Sequence, residues 1–238
     1  LMADVPLGAF LSGGLDSSLV TALVCRLSPG PVETFSVGYR ERAFSELGYA
    51  AEVSRHLGTV HREVVIGAEE FFGELPHLIW HEDEPITWPS SVALYFVSRL
   101  ASKHVKVVLT GEGGDELFAG YERYRWTLWN LRANCLYGQL PGLLRRRIRN
   151  WIQSSRLLKA DLRRKLGHTF LGREARLESL YLDNFYGAFS QRELEAALGT
   201  PGGGAYENFL RYWNRRDGTA LARMLYTDQK TYLVELLM

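Results

Sequence analysis

Cysteine is scarce in this chain. Cys25 and Cys135 are the only two in 238 residues, too few for a disulfide framework, and such low usage points to a reducing compartment. Long apolar runs are missing too. None approaches the roughly 18 residues that a membrane-spanning helix needs, which excludes an integral helical membrane protein. Lysine is absent from residues 1–102, so that region holds no phosphate loop of the type that ends in Lys-Ser or Lys-Thr. What is present belongs to a folded chain. Hydrophobic residues make up 46%, aromatics 12% and charged residues 23%, with a mean hydropathy of -0.14. A chain this apolar buries enough surface to offset its conformational entropy, which excludes disorder.

The net charge of +1 conceals two unlike halves. Residues 1–120 hold 8 Lys+Arg against 16 Asp+Glu, while residues 121–238 hold 20 against 11. The basic excess is concentrated in Arg145-Arg-Arg-Ile-Arg149 and between Arg156 and Lys165. A nucleic-acid patch is one reading. Few aromatics interleave with these arginines as single-strand binding would want, so a solvated helix face or contact with an acidic neighbour is preferred. Nucleic acid is not the expected partner.

The first 120 residues alternate between strand and helix patterns. Strands are expected at Val5–Leu11, Val32–Tyr39, Val60–Ile66 and Val105–Thr110. Helices are expected at Asp16–Leu27, with Leu19, Val20, Leu23, Val24 and Leu27 on one side, and at Phe44–Leu57, Glu69–Trp80 and Ser90–Ser102. Gly58 should end the second of these. This order predicts an α/β fold, a parallel doubly wound sheet covered by helices. Beyond residue 120 the pattern is helical, broken at Pro141-Gly, Gly167, Gly199-Thr-Pro-Gly-Gly-Gly204 and Gly218. Two regions are expected, 1–125 and 126–238. The first residue is leucine and the last eight form an apolar helical pattern without a stop, so the chain reads as a fragment cut at both sides. No leader segment is visible, and cytoplasmic localisation is expected.

Two glycine loops concentrate the polar chemistry. The first is Ser12-Gly-Gly-Leu-Asp-Ser-Ser18, between an expected strand and an expected helix. Gly13 and Gly14 can adopt positive φ and let backbone N–H groups approach an anion. The helix that follows presents its positive end, and Ser12, Ser17 and Ser18 add hydroxyls. The loop suits phosphate oxygens. It is not Gly-x-Gly-x-x-Gly, so dinucleotide binding has little support. Asp16 would repel a polyphosphate unless a cation intervened, and Mg²⁺ is the hard ion bound by one or two carboxylates plus phosphate. The competing reading makes Asp16 a helix N-cap. The second loop, Thr110-Gly-Glu-Gly-Gly-Asp-Glu116, also follows a strand and precedes a helix. In a parallel sheet both loops fall at one edge, where Asp16 and Asp115 could share a magnesium ion with Glu112 nearby.

Other candidates read blandly. His81-Glu-Asp-Glu84 lacks the second histidine of a zinc helix and reads as a solvated turn. Both cysteines read as core thiols, and His56 and His61 as surface or strand-edge residues. Tyr121, Arg123 and Tyr124 should anchor the second loop to the helical half.

The first loop matches the Ser-Gly-Gly-x-Asp-Ser pyrophosphate loop of the N-type ATP pyrophosphatases. The segment Val107-Val-Leu-Thr-Gly-Glu-Gly-Gly-Asp-Glu-Leu-Phe-Ala-Gly-Tyr-Glu-Arg-Tyr124 resembles the glutamine-hydrolysing asparagine synthetases. So do Phe35-Ser-Val-Gly38, Leu57-Gly-Thr-Val-His61 and Asp83-Glu-Pro85. The likeness is dense over residues 4–125 and diffuse afterwards. It implies ATP as a substrate with its phosphates on Ser12–Ser17, Leu11 and Val37 flanking the base, and Thr110 and Gly111 contacting the nucleotide. Asp16 and Asp115 would hold Mg²⁺, and Glu112 would support adenylate formation. A carboxylate, that of aspartate in the synthetases, would be activated as an acyl-adenylate and amidated by ammonia from glutamine. The resemblance also extends to relatives that close β-lactams or lasso peptides or act in exopolysaccharide synthesis. It implies a glutaminase domain N-terminal to this chain and leaves a homodimer open. Family members carry a basic segment and a lysine beyond the last residue here, so this piece alone is expected to form no amide.

Overall fold

The computed structural model describes residues 3–83, 90–155, 157–173, 178–185, 191–199, 206–215 and 217–234. The chain divides into two units, Leu1–Glu112 and Gly113–Met238, and the division falls inside the second glycine loop.

Four strands form the sheet of the first unit: β1 (Leu7–Phe10), β2 (Glu33–Tyr39), β3 (Val60–Ile66) and β4 (Val107–Leu109). All neighbouring pairs are parallel, with Ala9 of β1 opposite Thr34 on one side and Leu109 on the other. The spatial order is β3-β2-β1-β4. The winding therefore reverses between β1 and β4. Their carboxyl ends are the place where a doubly wound sheet opens a crevice for ligands. Four helices belong to this unit: α1 (Leu15–Leu27), α2 (Leu47–Leu57), α3 (Ala68–Glu82) and α4 (Ser90–Ala101). Phe35 of β2, Val97 and Ala101 of α4, and Val105 make a buried core beneath the sheet. The parallel α/β architecture expected from the alternating patterns is the observed one.

Three local expectations need correction. The Phe44–Leu57 segment is not one helix. A short 3₁₀ turn at Arg42–Phe44 is followed by extended Ser45 before α2 begins. The break lets Ser45 and Leu47 press on β2, because a side chain at Gly38 would stand about 2.5–2.6 Å from both. The left-handed Gly58, with φ 69°, does end α2, and its N–H donates to the Ser54 carbonyl. Second, α1 buries a different face from the one its leucines suggest. Ser17, Thr21 and Val24 are buried, whereas Leu19, Leu23 and Leu27 are exposed. Small side chains let a helix approach its sheet closely, and the Thr21 hydroxyl is satisfied by the Ser17 carbonyl at 2.8 Å. Third, Cys135 is exposed and is not a core thiol. Cys25 is partly buried, and burial raises its thiol pKa.

His61 sits in a hydroxyl network on β3. Its Nδ1 is 2.9 Å from Thr34 Oγ1, which also meets Thr59 Oγ1 at 2.8 Å. Burial lowers the His61 pKa from its ordinary 6.5, against the opposing pull of the Glu63 carboxylate. A histidine held neutral by burial stabilises the fold above its unfolded pKa, and that stability is lost as the pH falls through the lowered folded value. Urea midpoints should therefore decline on acidification below 6.5. His61→Gln should flatten that decline, and an unchanged slope would refute the assignment.

The second unit is helical among its described residues. It contains α5 (Gly114–Phe118), α6 (Glu122–Tyr137), α7 (Gly142–Ser154), α8 (Ala160–Gly167), a π-helical turn at Glu178–Leu182, α9 (Asp183–Phe185), α10 (Gln191–Leu198), α11 (Glu207–Arg215) and α12 (Ala220–Lys230). Tyr124, Tyr181, Leu182, Phe209 and Met224 form its buried core. Arg146 and Arg147 of α7 are exposed, as a solvated basic face would be. Glu84, Pro85, Arg156 and the tri-glycine segment 202–204 lie outside the described residues. No described helix is long and apolar enough to cross a membrane.

Candidate functional site

The site of the first unit begins where β1 ends. Leu11 is buried, and its carbonyl accepts a hydrogen bond from the Ser36 hydroxyl of β2. The chain then turns through Gly13, whose φ of +83° belongs to glycine. A Cβ at Gly13 would also lie 2.5–2.6 Å from Tyr49 and the Ala50 nitrogen at the start of α2. The expectation of positive φ at both glycines holds only here. Gly14 is extended, with φ -68°, and meets only Ser12 Oγ, at 3.3 Å from its missing Cβ. Its lack of a side chain leaves the exposed mouth of the turn open.

Gly14 is the N-cap of α1 and makes no side-chain cap bond. Among the described residues no side chain caps the first-turn N–H groups, which stand at the positive end of the helix. The loop braces itself from behind. Ser12 Oγ and Ser17 Oγ are 2.9 Å apart, the Ser12 N–H donates to Ser17 Oγ, and the Gly14 N–H donates to Ser12 Oγ. Ser18 goes elsewhere. It lines a separate hollow between α1 and α2, with Glu52 and His56. Asp16 stands in the first turn and not at the cap, which removes the capping alternative. Among the described residues no hydrogen bond or ion pair engages its carboxylate. A hard oxygen donor left at the mouth of a glycine turn fits a magnesium ion that completes its shell on phosphate.

The β4 loop closes on this turn. A Cβ at Gly111 would lie 2.7 Å from the Ser17 nitrogen, 3.0 Å from its Cα and 3.1 Å from the Asp16 carbonyl carbon. Backbone against backbone leaves nothing flexible to give way. Thr110 Oγ1 accepts from the Glu112 N–H at 3.3 Å, so the hydroxyl folds the loop on itself. Gly111→Ala should therefore cost about 1–3 kcal/mol, in the range of overpacking, and shift the Asp16 turn. Urea denaturation checks the first effect and nucleotide affinity the second. An alanine variant with unchanged stability would contradict this packing.

Beside the turn lies a cavity of about 360 Å³. Leu11, Ser12, Ser36, Val37, Phe44 and Val97 are among its walls. Leu11, Ser12 and Val37, all singled out from the sequence, line it together with Phe44 and Val97, which come from a turn and a helix with no motif. An apolar hollow with few polar groups, next to an anion cradle, suits a flat ring carrying phosphates.

The second unit treats Asp115 separately. It lies on α5, behind Gly113 with φ +90°. A side chain at Gly120 would overlap the Asp115 carboxylate. The neighbouring Glu116 is buried and accepts the Tyr121 hydroxyl at 2.8 Å. Burial, then Glu116, pushes the Tyr121 phenol pKa well up. Gln229 Nε2 donates to the Glu116 carbonyl at 3.0 Å. Arg123 and Tyr124 both reach Asp228 of α12, so the expected aromatic and arginine anchors do tie α5 and α6 to a later helix. Asp228 carries no sequence signal of its own and was invisible before the fold.

The asparagine synthase family profile matches residues 1–238. The chain belongs to the asparagine synthase family. Asparagine synthetase [glutamine-hydrolyzing] 1 of Bacillus subtilis is 46% identical over 125 residues, 52% of this chain and 20% of that protein. A putative asparagine synthetase [glutamine-hydrolyzing] of Mycobacterium tuberculosis is 39% identical over 245 residues, 98% of this chain and 34% of its own length. Asparagine synthetase B of Escherichia coli is 36% identical over 137 residues, covering 51% of this chain and 24% of that protein. The chain thus spans only about a fifth to a third of these relatives. The matches limited to about half of this chain agree with a likeness that is dense in one part and diffuse in the rest. Membership of the asparagine synthase family supports the resemblance drawn from the two glycine loops.

Proposed function

We propose that this chain is the ATP-binding, carboxylate-activating part of a glutamine-dependent amide-forming ligase. The observation that carries this reading is the meeting of Gly111 with the Asp16–Ser17 backbone at the switch point of the sheet. It joins an anion cradle, a carboxylate and an apolar hollow in one unit.

In this reading Leu11 and Val37 flank the adenine in the cavity. Backbone N–H groups of the first turn of α1 receive the β- and γ-phosphates. Thr110 and Gly111 border the nucleotide. Asp16 and Asp115 would hold Mg²⁺, whose charge screens the phosphates when bound. Attack of one anion on another requires such screening, and aligned N–H dipoles add to it. An aspartate carboxylate oxygen attacks the α-phosphorus of ATP and the bond to the bridging oxygen breaks. Acyl-adenylate and pyrophosphate result. Glu112 supports this step at the mouth of the loop. Ammonia, supplied from glutamine by a glutaminase domain elsewhere in the full-length protein, then displaces AMP. The curated relatives are named glutamine-hydrolysing asparagine synthetases and are three to five times longer than the matched part, which supports both the donor and the extra domain.

The test is ATP–pyrophosphate exchange in the full-length protein. Exchange that depends on aspartate supports the reading. Exchange that depends on a different carboxylate keeps the adenylating chemistry and replaces the substrate. No exchange with any carboxylate, in protein that binds ATP, overturns it.

A further inference from the structure

The carboxyl-terminal part of α3 carries His77 and His81, one helical turn apart. Residues at i and i+4 share a face, and here the two rings meet. The Nε2 atoms are 3.0 Å apart, with centroids 4.5 Å apart and planes at 82°. Both side chains are exposed. The segment His81-Glu-Asp-Glu84 offers no histidine downstream, but the missing partner stands four residues upstream.

We infer that His77 and His81 chelate a borderline divalent transition ion of the zinc, nickel or copper(II) class. Metal–nitrogen bonds of about 2.0–2.1 Å that meet at about 90–110° place two nitrogens roughly 2.9–3.4 Å apart. The observed spacing lies within that span. The second observation concerns the other face of the His77 ring. Its Nδ1 is 3.6 Å from Glu74 Oε2, and Glu74 also lies 3.5 Å from Arg99. A carboxylate at this distance from Nδ1 is beyond hydrogen-bond reach, but its charge favours a proton on that nitrogen over Nε2, which is the sense of the outer support of an imidazole ligand. Imidazole pairs favour late first-row ions over magnesium, so the site is chemically distinct from the Asp16 turn and does not rest on the proposed ligase activity. Among the described residues no group of three ligating side chains exists. Exchangeable water therefore fills the remaining positions, as in a surface site.

The test is histidine footprinting with diethyl pyrocarbonate on the full-length protein, read by peptide mass spectrometry. With zinc at ten times its Kd, modification of His77 and His81 should slow about tenfold by mass action. The exposed His104 should react at its usual rate. Magnesium should protect neither. In His77→Gln the protection of His81 should vanish, and Glu74→Gln should weaken zinc binding about tenfold. Copper(II) added to the wild type should give an electron paramagnetic resonance pattern of two imidazole nitrogens, reduced to one in His77→Gln. Equal modification with and without zinc would overturn the proposal and leave the pair as a simple histidine–histidine hydrogen bond. So would protection of His81 that survives in His77→Gln.

Discussion

Asp16→Asn should lower pyrophosphate release by the full-length protein about 10²–10³-fold and leave the fold intact. The size follows from the role. Metal-based screening of a reacting phosphate is worth several kcal/mol, and each 1.36 kcal/mol is about tenfold in rate. The fold should survive because, among the described residues, the Asp16 carboxylate makes no hydrogen bond or ion pair, and Gly14, not Asp16, caps α1. Loss of an acidic group near a helix N-terminus costs only about 0.3–1 kcal/mol. Two measurements separate the effects: initial rates with ATP, magnesium and aspartate, and a urea midpoint. A variant that keeps wild-type turnover would remove Asp16 from the proposed metal site. A variant that unfolds would mean that the turn depends on the charge.

Asp228→Ala should cost about 3–5 kcal/mol, the usual penalty for breaking a buried ion pair from one side. Asp228 is fully buried and accepts from Arg123 at 2.8 Å, Tyr124 at 2.6 Å and Tyr181 at 2.7 Å. The Arg123 guanidinium lies 4.1 Å from the centre of the Tyr121 ring and 4.4 Å from that of Tyr232. Removing the carboxylate strands a cation and two phenols in an aromatic core, where water cannot replace the lost acceptor. Against a total stability of about 5–15 kcal/mol, that is enough to unfold much of the second unit. Denaturant unfolding monitored by tryptophan fluorescence measures the change. The double variant Arg123→Leu/Asp228→Leu should cost less than the two single variants together, since no charge is then left unpaired. A loss under about 1 kcal/mol would show that the network carries little of the stability.

Much of the site was legible because glycine loops are local devices. Ser12-Gly-Gly-Leu-Asp-Ser17 and Thr110-Gly-Glu-Gly-Gly-Asp115 announce a tight turn, an open mouth and a carboxylate within a few residues of one another. Strands β2 to β4 were legible as β-branched runs and β1 as a buried apolar run, each bounded by turns, and Gly58 as a helix stop. The face that α1 buries was not. Leu19, Leu23 and Leu27 follow a regular apolar stripe, yet the helix turns its small side chains inward, because close approach to β1 favours Ser17, Thr21 and Val24. Cys135 misled as well: a place in a helical stretch is not burial in space.

By itself, the order of residues determined the alternating elements, the two turns that could receive an anion and the family to which the chain belongs. Each of these signals is read along short stretches of chain, where backbone sterics and side-chain period act directly. Only the tertiary structure decided that β4 lies beside β1, that Gly111 presses on Ser17, and that Arg123 finds Asp228 more than a hundred residues away. Those pairings arise from competition among distant segments for the same buried space, and no local pattern records which segment wins.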